Sequence, residues 1–183
     1  MVEMKFPILK TKRLILREIN KKDEKQIIEN INNLNVSRWL LVVPYPYRKK
    51  EAKWWINHVR EKKEDYQFAI ELKDEKAYIG GIGLTKVDKF QGTATIGYWI
   101  GEKYWGKGYG TEALGAVLNF AFNKLKLRRV EAGVFVGNHA SGKLLEKFGA
   151  KLEGIMRKAK RCKATKEIID EQMYGILKEE FKQ

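Results

Sequence analysis

Gly106, Gly108 and Gly110 stand at alternate positions in Trp105-Gly106-Lys107-Gly108-Tyr109-Gly110-Thr111, and good helix formers follow from Ala113 to Ala121. Thr93 to Ile100, just before them, is rich in β-branched and aromatic residues, so the order reads strand, glycine loop, helix. The start of a helix carries N–H groups without intrahelical partners and the positive end of the peptide dipoles. Glycines let a ligand approach the backbone and permit positive φ. Together these features suit a phosphate-bearing anion. The spacing fits neither of two common phosphate loops. A Walker loop needs four residues between its first glycine and Gly-Lys-Ser/Thr, and in Gly-x-Gly-x-x-Gly the third glycine comes one residue later than here. Taken alone, the three glycines are also compatible with a turn that only caps a helix.

A second segment lies further on: Asn138-His139-Ala140-Ser141-Gly142-Lys143-Leu144-Leu145-Glu146-Lys147-Phe148-Gly149-Ala150. With the stretch from Ile96 to Ala113, and a strand between the two, it resembles the cofactor segments of the GNAT superfamily, the acyl-CoA-dependent N-acetyltransferases. The resemblance runs from about Leu9 to the C-terminus and is closest to the Rim-type ribosomal-protein N-terminal acetyltransferases. It implies acetyl-CoA as cosubstrate. The backbone N–H groups of Gly106, Lys107, Gly108, Tyr109, Gly110 and Thr111 would hold the pyrophosphate. Tyr98, Trp99 and Ile100 would pair with the pantetheine arm like an added strand, and one of their N–H groups would polarise the thioester carbonyl as an oxyanion hole does. Many members carry Arg or Gln at the place of Trp105; tryptophan there is familiar in the Rim-like branch.

Asn138 can cap its helix or bond the pantetheine amides, and the resemblance favours the second role. Many GNAT enzymes protonate the departing thiolate with a tyrosine seven residues after this asparagine. Here that place is Leu145, and Ser141, one helical turn beyond Asn138, matches the serine of Rim-type enzymes. Its other reading is an ordinary helix serine. No strong base stands out. Thr95 occupies a place where relatives often carry glutamate, Lys160 occupies another, and Glu102 is expected to face solvent. A water chain could take the proton. An α-amine, with a pKa of about 8, is partly neutral near pH 7, whereas a lysine at about 10.4 is not, so the missing base leans toward an α-amine acceptor.

Composition narrows the classes. The 183 residues suit one domain spanning 1–183. No apolar run approaches the roughly 18 residues of a membrane span, and Met1 to Lys10 lacks the apolar centre of a signal peptide. The single cysteine, Cys162, excludes an internal disulfide and a cysteine zinc cluster, and two histidines, His58 and His139, give metal chemistry no support. A cytoplasmic location follows as the default. The net charge of +14 favours anionic partners, coenzyme A among them. Ribosomal RNA near a protein acceptor is another, so an association with the ribosome is one reading. Lysine-rich composition of a hot-habitat proteome is the other. The lysines are spread along the chain, and nothing points to DNA binding.

The elements that must position these residues read as follows. Leu9 to Glu18 is a first strand, and Asn20 or Asp23 caps a helix carrying Ile27, Ile28, Ile31 and Leu34. Trp39 to Tyr47 is a loop, and Lys50 to Lys63 a helix with Trp54, Trp55 and Val59 on or near its apolar face. Tyr66 to Glu71 and Ala77 to Val87 are strands, the second interrupted by Gly80, Gly81 and Gly83, which suggest a bulge or close packing. Thr93 to Ile100 and Arg129 to Phe135 are strands, the helix after the glycine loop runs to about Lys124, and Gly149 ends the Asn138 helix. Ala150 to Glu153, Arg157 to Lys163 and Lys166 to Leu177 supply the last strands. The order reads as α+β, or mixed α/β. The resemblance makes it a central, mostly antiparallel sheet split into a V, with the cofactor between the strand ending at Ile100 and the strand from Arg129 to Phe135. Trp39, Tyr45, Tyr47, Trp54 and Trp55 either wall an acceptor site or pack in the core. Asp170 and Tyr174 match an Asp-x-x-x-Tyr feature of the family's final strand and are read as structural.

The resulting expectation is an N-acetyltransferase acting on a protein N-terminus, with a small amine such as a polyamine, amino acid or aminoglycoside as the alternative acceptor. A basic, inactive RNA-associated binding module is the alternative from a different class.

Overall fold

The computed structural model describes residues 6–62 and 65–182. Eight strands form one sheet: β1 (Leu9–Lys10), β2 (Leu14–Glu18), β3 (Tyr66–Leu72), β4 (Tyr78–Asp88), β5 (Thr93–Ile100), β6 (Arg129–Phe135), β7 (Lys151–Arg161) and β8 (Ile168–Leu177). Their order is β1-β2-β3-β4-β5-β6-β8-β7. Every neighbouring pair is antiparallel except β5 and β6. That parallel pair is registered only from Thr93–Arg129 to Thr95–Glu131. Beyond Thr95 the two strands part, which opens the expected V on the β6 side of Ile96 to Ile100.

Helices cover both faces. On one side α4 (Tyr109–Asn119) lays Ala113, Leu114, Val117 and Leu118 against Leu14, Phe68, Ile82, Leu84 and Ile96. On the other, α1 (Glu24–Ile31) and α3 (Lys49–Glu61) bury Ile27, Ile31, Ala52 and Ile56 with Ile19, Ala69 and Tyr78. α2 (Leu34–Ser37) and α5 (His139–Lys147) complete the helices named here.

Several expected boundaries move. The first strand breaks at Thr11, where the Thr11 N–H turns back to the Leu14 carbonyl at 3.0 Å. Asn20 caps, but a 3-10 turn comes first: its side chain accepts from the Lys22 N–H, and Asp23 reciprocates with the Asn20 N–H, each at 2.9 Å. Leu34 does not belong to α1, which ends at Ile31; Leu34 opens α2 under an Asn33 cap. Within α3 the buried face is Ala52 and Ile56, leaving Trp54 60% exposed, while the expected end at Lys63 falls outside the described residues. The expected strands Ala150–Glu153 and Arg157–Lys163 merge into one, β7, which runs only from Lys151 to Arg161 and pairs with β8 through two register shifts. Past Asn119, α4 widens into a π turn reaching Lys124.

Candidate active site

The glycine loop sits where β5 hands over to α4. Gly106 and Gly108 have φ of +74° and +79°, a region that glycine enters without the steric cost of a Cβ. Gly108 is the N-cap residue of α4, and no side chain caps the helix. The backbone bond from the Glu112 N–H to the Gly108 carbonyl (3.1 Å) leaves the preceding N–H groups of the first turn facing outward. A Cβ on Gly106 would meet nothing within 4 Å, so the space above the loop is open.

The loop is held from behind by a residue the motif does not contain. Arg13, in the β1–β2 turn, donates to the Lys107 carbonyl at 2.9 Å and to Glu112 at 2.7 Å, and its guanidinium lies 4.5 Å from the centre of the Tyr109 ring. Glu112 also accepts from Thr11 Oγ1 at 2.5 Å and from the Arg13 N–H at 2.6 Å. Burial pushes the Glu112 carboxyl up, but these hydrogen bonds outweigh it and hold the pKa below the usual value. Trp105 also braces the site: its Nε1–H donates to the Ile100 carbonyl at 2.7 Å, tying the strand end to the loop.

Along β5 the backbone alternates in direction. The Gly101 N–H bonds the Ile79 carbonyl at 2.8 Å, on the β4 side. Two-residue alternation therefore turns Trp99 toward β4 and the backbone groups of Tyr98 and Ile100 toward the open V. The Tyr98 side chain crosses to α5, where its hydroxyl lies 2.9 Å from Ser141 Oγ and 3.2 Å from the Ser141 carbonyl. Burial pushes the Tyr98 pKa up to about 12; the bond to Ser141 opposes this and nearby Tyr174 adds to it. Asn138 caps α5, its Oδ1 accepting the Ser141 N–H at 3.3 Å, and its amide NH2 has no bond among the described residues. His139 faces solvent, and Leu145 is a core residue, 1% exposed. Tyr174 packs under Gly142 and reaches Glu146 at 3.4 Å, while Asp170 accepts the Lys158 N–H at 2.6 Å, so both are structural.

On the opposite face of the sheet, a cavity of about 720 Å³ runs from the Leu40–Pro44 loop and α3 to Ile96, Gly97, Tyr98 and Trp99. Tyr47, Trp54 and Trp55 line it. Trp39 and Tyr45 do not: Trp39 packs beside Gly137, and Tyr45 projects from the loop, 46% exposed. The titratable lining groups include Lys50, Lys163, Lys166 and one carboxylate, Glu51. Glu102 is exposed and bound by Asn33, the cap of α2, and by Asn35 within it, the latter at 2.8 Å. Lys160 pairs at 3.6 Å with Glu171, a buried carboxylate on β8 that sequence reasoning passed over. Its signal would have been the period of β8, which puts Glu171 on the face opposite Tyr174.

A family model described as an acetyltransferase (GNAT) domain matches residues 13–151. The chain belongs to the GNAT acetyltransferase family. YoaA of Bacillus subtilis, an uncharacterized N-acetyltransferase, is 33% identical over 180 residues, covering 94% of this chain and 98% of that protein. YdaF of Bacillus subtilis, provisionally named a ribosomal N-acetyltransferase, is 31% identical over 153 residues, 79% of this chain and 81% of that one. A GNAT acetyltransferase structure from Bacillus anthracis superposes with a TM-score of 0.84 at 28% identity, covering 95% of this chain and all of that chain. The protein is therefore an acetyltransferase, and enzymes of the GNAT fold take acetyl-CoA as acetyl donor. Among the described residues no helix is long and apolar enough to cross a membrane.

Proposed function

We propose that this GNAT acetyltransferase acetylates the N-terminal α-amine of a protein, such as a ribosomal protein, with acetyl-CoA lying in the V. The residues present suit the donor. The uncapped first turn of α4 and the open space over Gly106 fit a pyrophosphate, with the N–H groups from Gly106 to Thr111 as donors. The Asn138 amide, the outward backbone groups of Tyr98 and the Ile100 N–H fit the pantetheine amides, the Ile100 carbonyl being held by Trp105, and an N–H at that edge suits polarising a carbonyl. Trp99 contributes its side chain to the cavity rather than backbone to this edge.

Acetyl-CoA supplies an acyl thioester and, once the acyl group has moved, a thiol. Ser141 Oγ is the proton donor for the sulfur. When Tyr98 donates into Ser141 Oγ, the serine's own proton is free to point toward the V, so Tyr98 orients the donor. Among the described residues Glu51 is the one carboxylate lining the cavity, so the amine loses its proton to water, which suits an α-amine better than a lysine side chain.

The observation that carries the acceptor class is this cavity lining: among the described residues, three lysines, one carboxylate and aromatic walls repel a polycation and accommodate a peptide end. YdaF's name supports the ribosomal choice. The test compares kcat/KM for short peptides with free N-termini, for spermidine, and for the same peptides blocked at the N-terminus but carrying lysine. Free N-termini should lead. A lead for spermidine or the lysine peptide refutes the acceptor while leaving the family assignment intact.

A further inference from the structure

Two cations at the cavity have no counter-charge in the fold. Lys163 and Lys166 line the cavity, yet both residues are exposed, so they stand at its rim. Among the described residues neither side chain has an ion-pair or hydrogen-bond partner. Other charges nearby are engaged. Lys50 pairs with Glu51 at 3.5 Å, and that carboxylate also accepts the Arg48 N–H at 3.0 Å in the cap of α3. On the β7–β8 hairpin itself, Lys160 pairs with Glu171 at 3.6 Å and Arg161 donates to the Lys166 carbonyl at 2.9 Å. The one carboxylate of the described lining is therefore already occupied, and the rim at the hairpin is left positive.

The turn that carries the two lysines is fixed to the cavity wall. The Cys162 N–H bonds the Glu167 carbonyl and the Lys166 N–H bonds the Cys162 carbonyl, both at 2.9 Å, which closes the turn. Cys162 is fully buried with its Sγ 3.5 Å from the Arg38 carbonyl, and the Lys163 N–H donates to the Leu41 carbonyl at 3.1 Å. The hairpin thus reaches from the β6-β8-β7 arm of the sheet to the Leu40–Pro44 loop, and both contribute to the cavity lining. The backbone of both lysines is set before anything binds, which lowers the ordering cost of a contact with their side chains.

We infer that Lys163 and Lys166 bind a carboxylate of the acceptor, so that the enzyme prefers N-termini with Asp or Glu as the second or third residue. This rests on the reading that a peptide N-terminus enters the cavity, with its amine at Gly97, where no side chain stands between cavity and V. A cavity of about 720 Å³ is on the order of 9 Å across, and an extended chain advances about 3.3–3.6 Å per residue, so the second or third side chain reaches the rim. The α-carboxylate of a free amino acid sits on the carbon that bears the amine and stays near the sheet. The phosphates of acetyl-CoA have their own place at the glycine loop, which leaves the acceptor as the source of the anion.

The test uses tetrapeptide amides with free N-termini and Glu, Gln or Lys as second or third residue, together with phenylalanine, phenylalaninamide and spermidine. It compares the wild type with a neutral variant, Lys163→Gln with Lys166→Gln, and a reversed one, Lys163→Glu with Lys166→Glu. Glu peptides should lead Gln peptides in kcat/KM by about 3- to 10-fold, the scale of two partly exposed ion pairs, through KM rather than kcat. The lead should vanish in the neutral variant and pass to the Lys peptides in the reversed one. It should also shrink in about 1 M salt, which screens charges beyond roughly 3 Å. Both lysines are exposed, so Tm should hold, and Kd for coenzyme A should not change. Equal kcat/KM for Glu and Gln peptides, or a Glu lead that survives the neutral variant, overturns the inference while the N-terminal reading stands. A weaker Kd for coenzyme A in the neutral variant, with the peptide preference unchanged, assigns the lysines to the cofactor and also overturns it. If phenylalanine beats its amide and every peptide, and only with both lysines present, the carboxylate contact holds and the protein N-terminus reading fails; a lead for spermidine sinks both.

Discussion

Replacing Gly108 with valine separates the loop's role in folding from its role in anion binding. Gly108 has φ +79°. A non-glycine residue in this region costs about 1–2 kcal/mol, and β-branching adds to that. The new Cβ would stand 3.4 Å from Arg13 Nη2, an ordinary contact with a side chain that can move, so no further clash with the fold is added. In a chain of this size each kcal/mol moves Tm by about 2–4 °C, so the variant should remain folded with Tm lower by several degrees. Cofactor affinity should suffer separately. The added branches occupy the approach to N–H groups whose charge-assisted bonds are worth about 1.5–3 kcal/mol each, and losing a single one lowers affinity at least about tenfold. Gly92→Ala is the control, since φ there is +66° in the β4–β5 turn, away from the glycine loop. It should lower Tm and leave affinity alone. Calorimetric titration of both variants with coenzyme A reads the difference. Unchanged affinity in a folded Gly108→Val protein would place the phosphates elsewhere and refute the reasoning.

Ser141→Ala should lower kcat by about 10- to 100-fold with cofactor Kd nearly unchanged, and Tyr98→Phe should lower it less, because it removes only the group that orients the serine; steady-state kinetics beside calorimetry tests both. Arg17 bridges Asp23 and Glu71, each at 2.7 Å, with Asp23 4% and Glu71 15% exposed. Arg17→Ala strands two carboxylates and should cost about 3–5 kcal/mol in denaturant unfolding. The Glu112 carboxyl has its pKa lowered in the fold, so the stability it contributes is present above its ordinary value of 4.5 and is lost as pH falls through its lowered value. Tm measured from pH 3 to 7 should therefore show a shallower acid limb in Glu112→Gln than in the wild type.

Local chemistry made some parts of the molecule readable from the sequence. β5 and β6 fall on the expected residues because each is an apolar, β-branched run closed by turn residues. The glycine loop and the Asn138 cap were readable because positive φ and capping demand particular residue types. Parts set by distant partners were not. Arg13 has nothing in its neighbourhood to mark it; it matters because the β1–β2 turn lands behind Lys107 and Glu112, almost a hundred residues on. Trp54 sits within one residue of the apolar stripe of α3 yet points into the cavity, because a stripe fixes a face only to about one position. The continuity of β7 across Gly154 depends on β8 beside it. Tyr78 shows the limit most plainly: strict alternation along β4 would send it to the wrong side, and only the bulge at Ile79 reverses it.

In the proposed reading β5 serves both halves of the reaction, because its period of two divides the work. Its free edge carries the backbone groups of Tyr98 and the N–H of Ile100, whose carbonyl Trp105 holds. One face sends the Tyr98 side chain to Ser141, and the other presents Gly97 and Trp99 to the cavity. Pairing with β6 would cover that edge, yet it stops at Thr95 and Glu131. Gly97 then lies where the open edge and the cavity meet, and it carries no side chain to separate them. A strand paired on both edges could not expose its N–H groups, and a larger residue at 97 would put a wall between donor and acceptor. On the proposed placement of acetyl-CoA in the V and the amine in the cavity, the parting of the two strands and the glycine just beyond it act as one device that lets the amine reach the carbonyl.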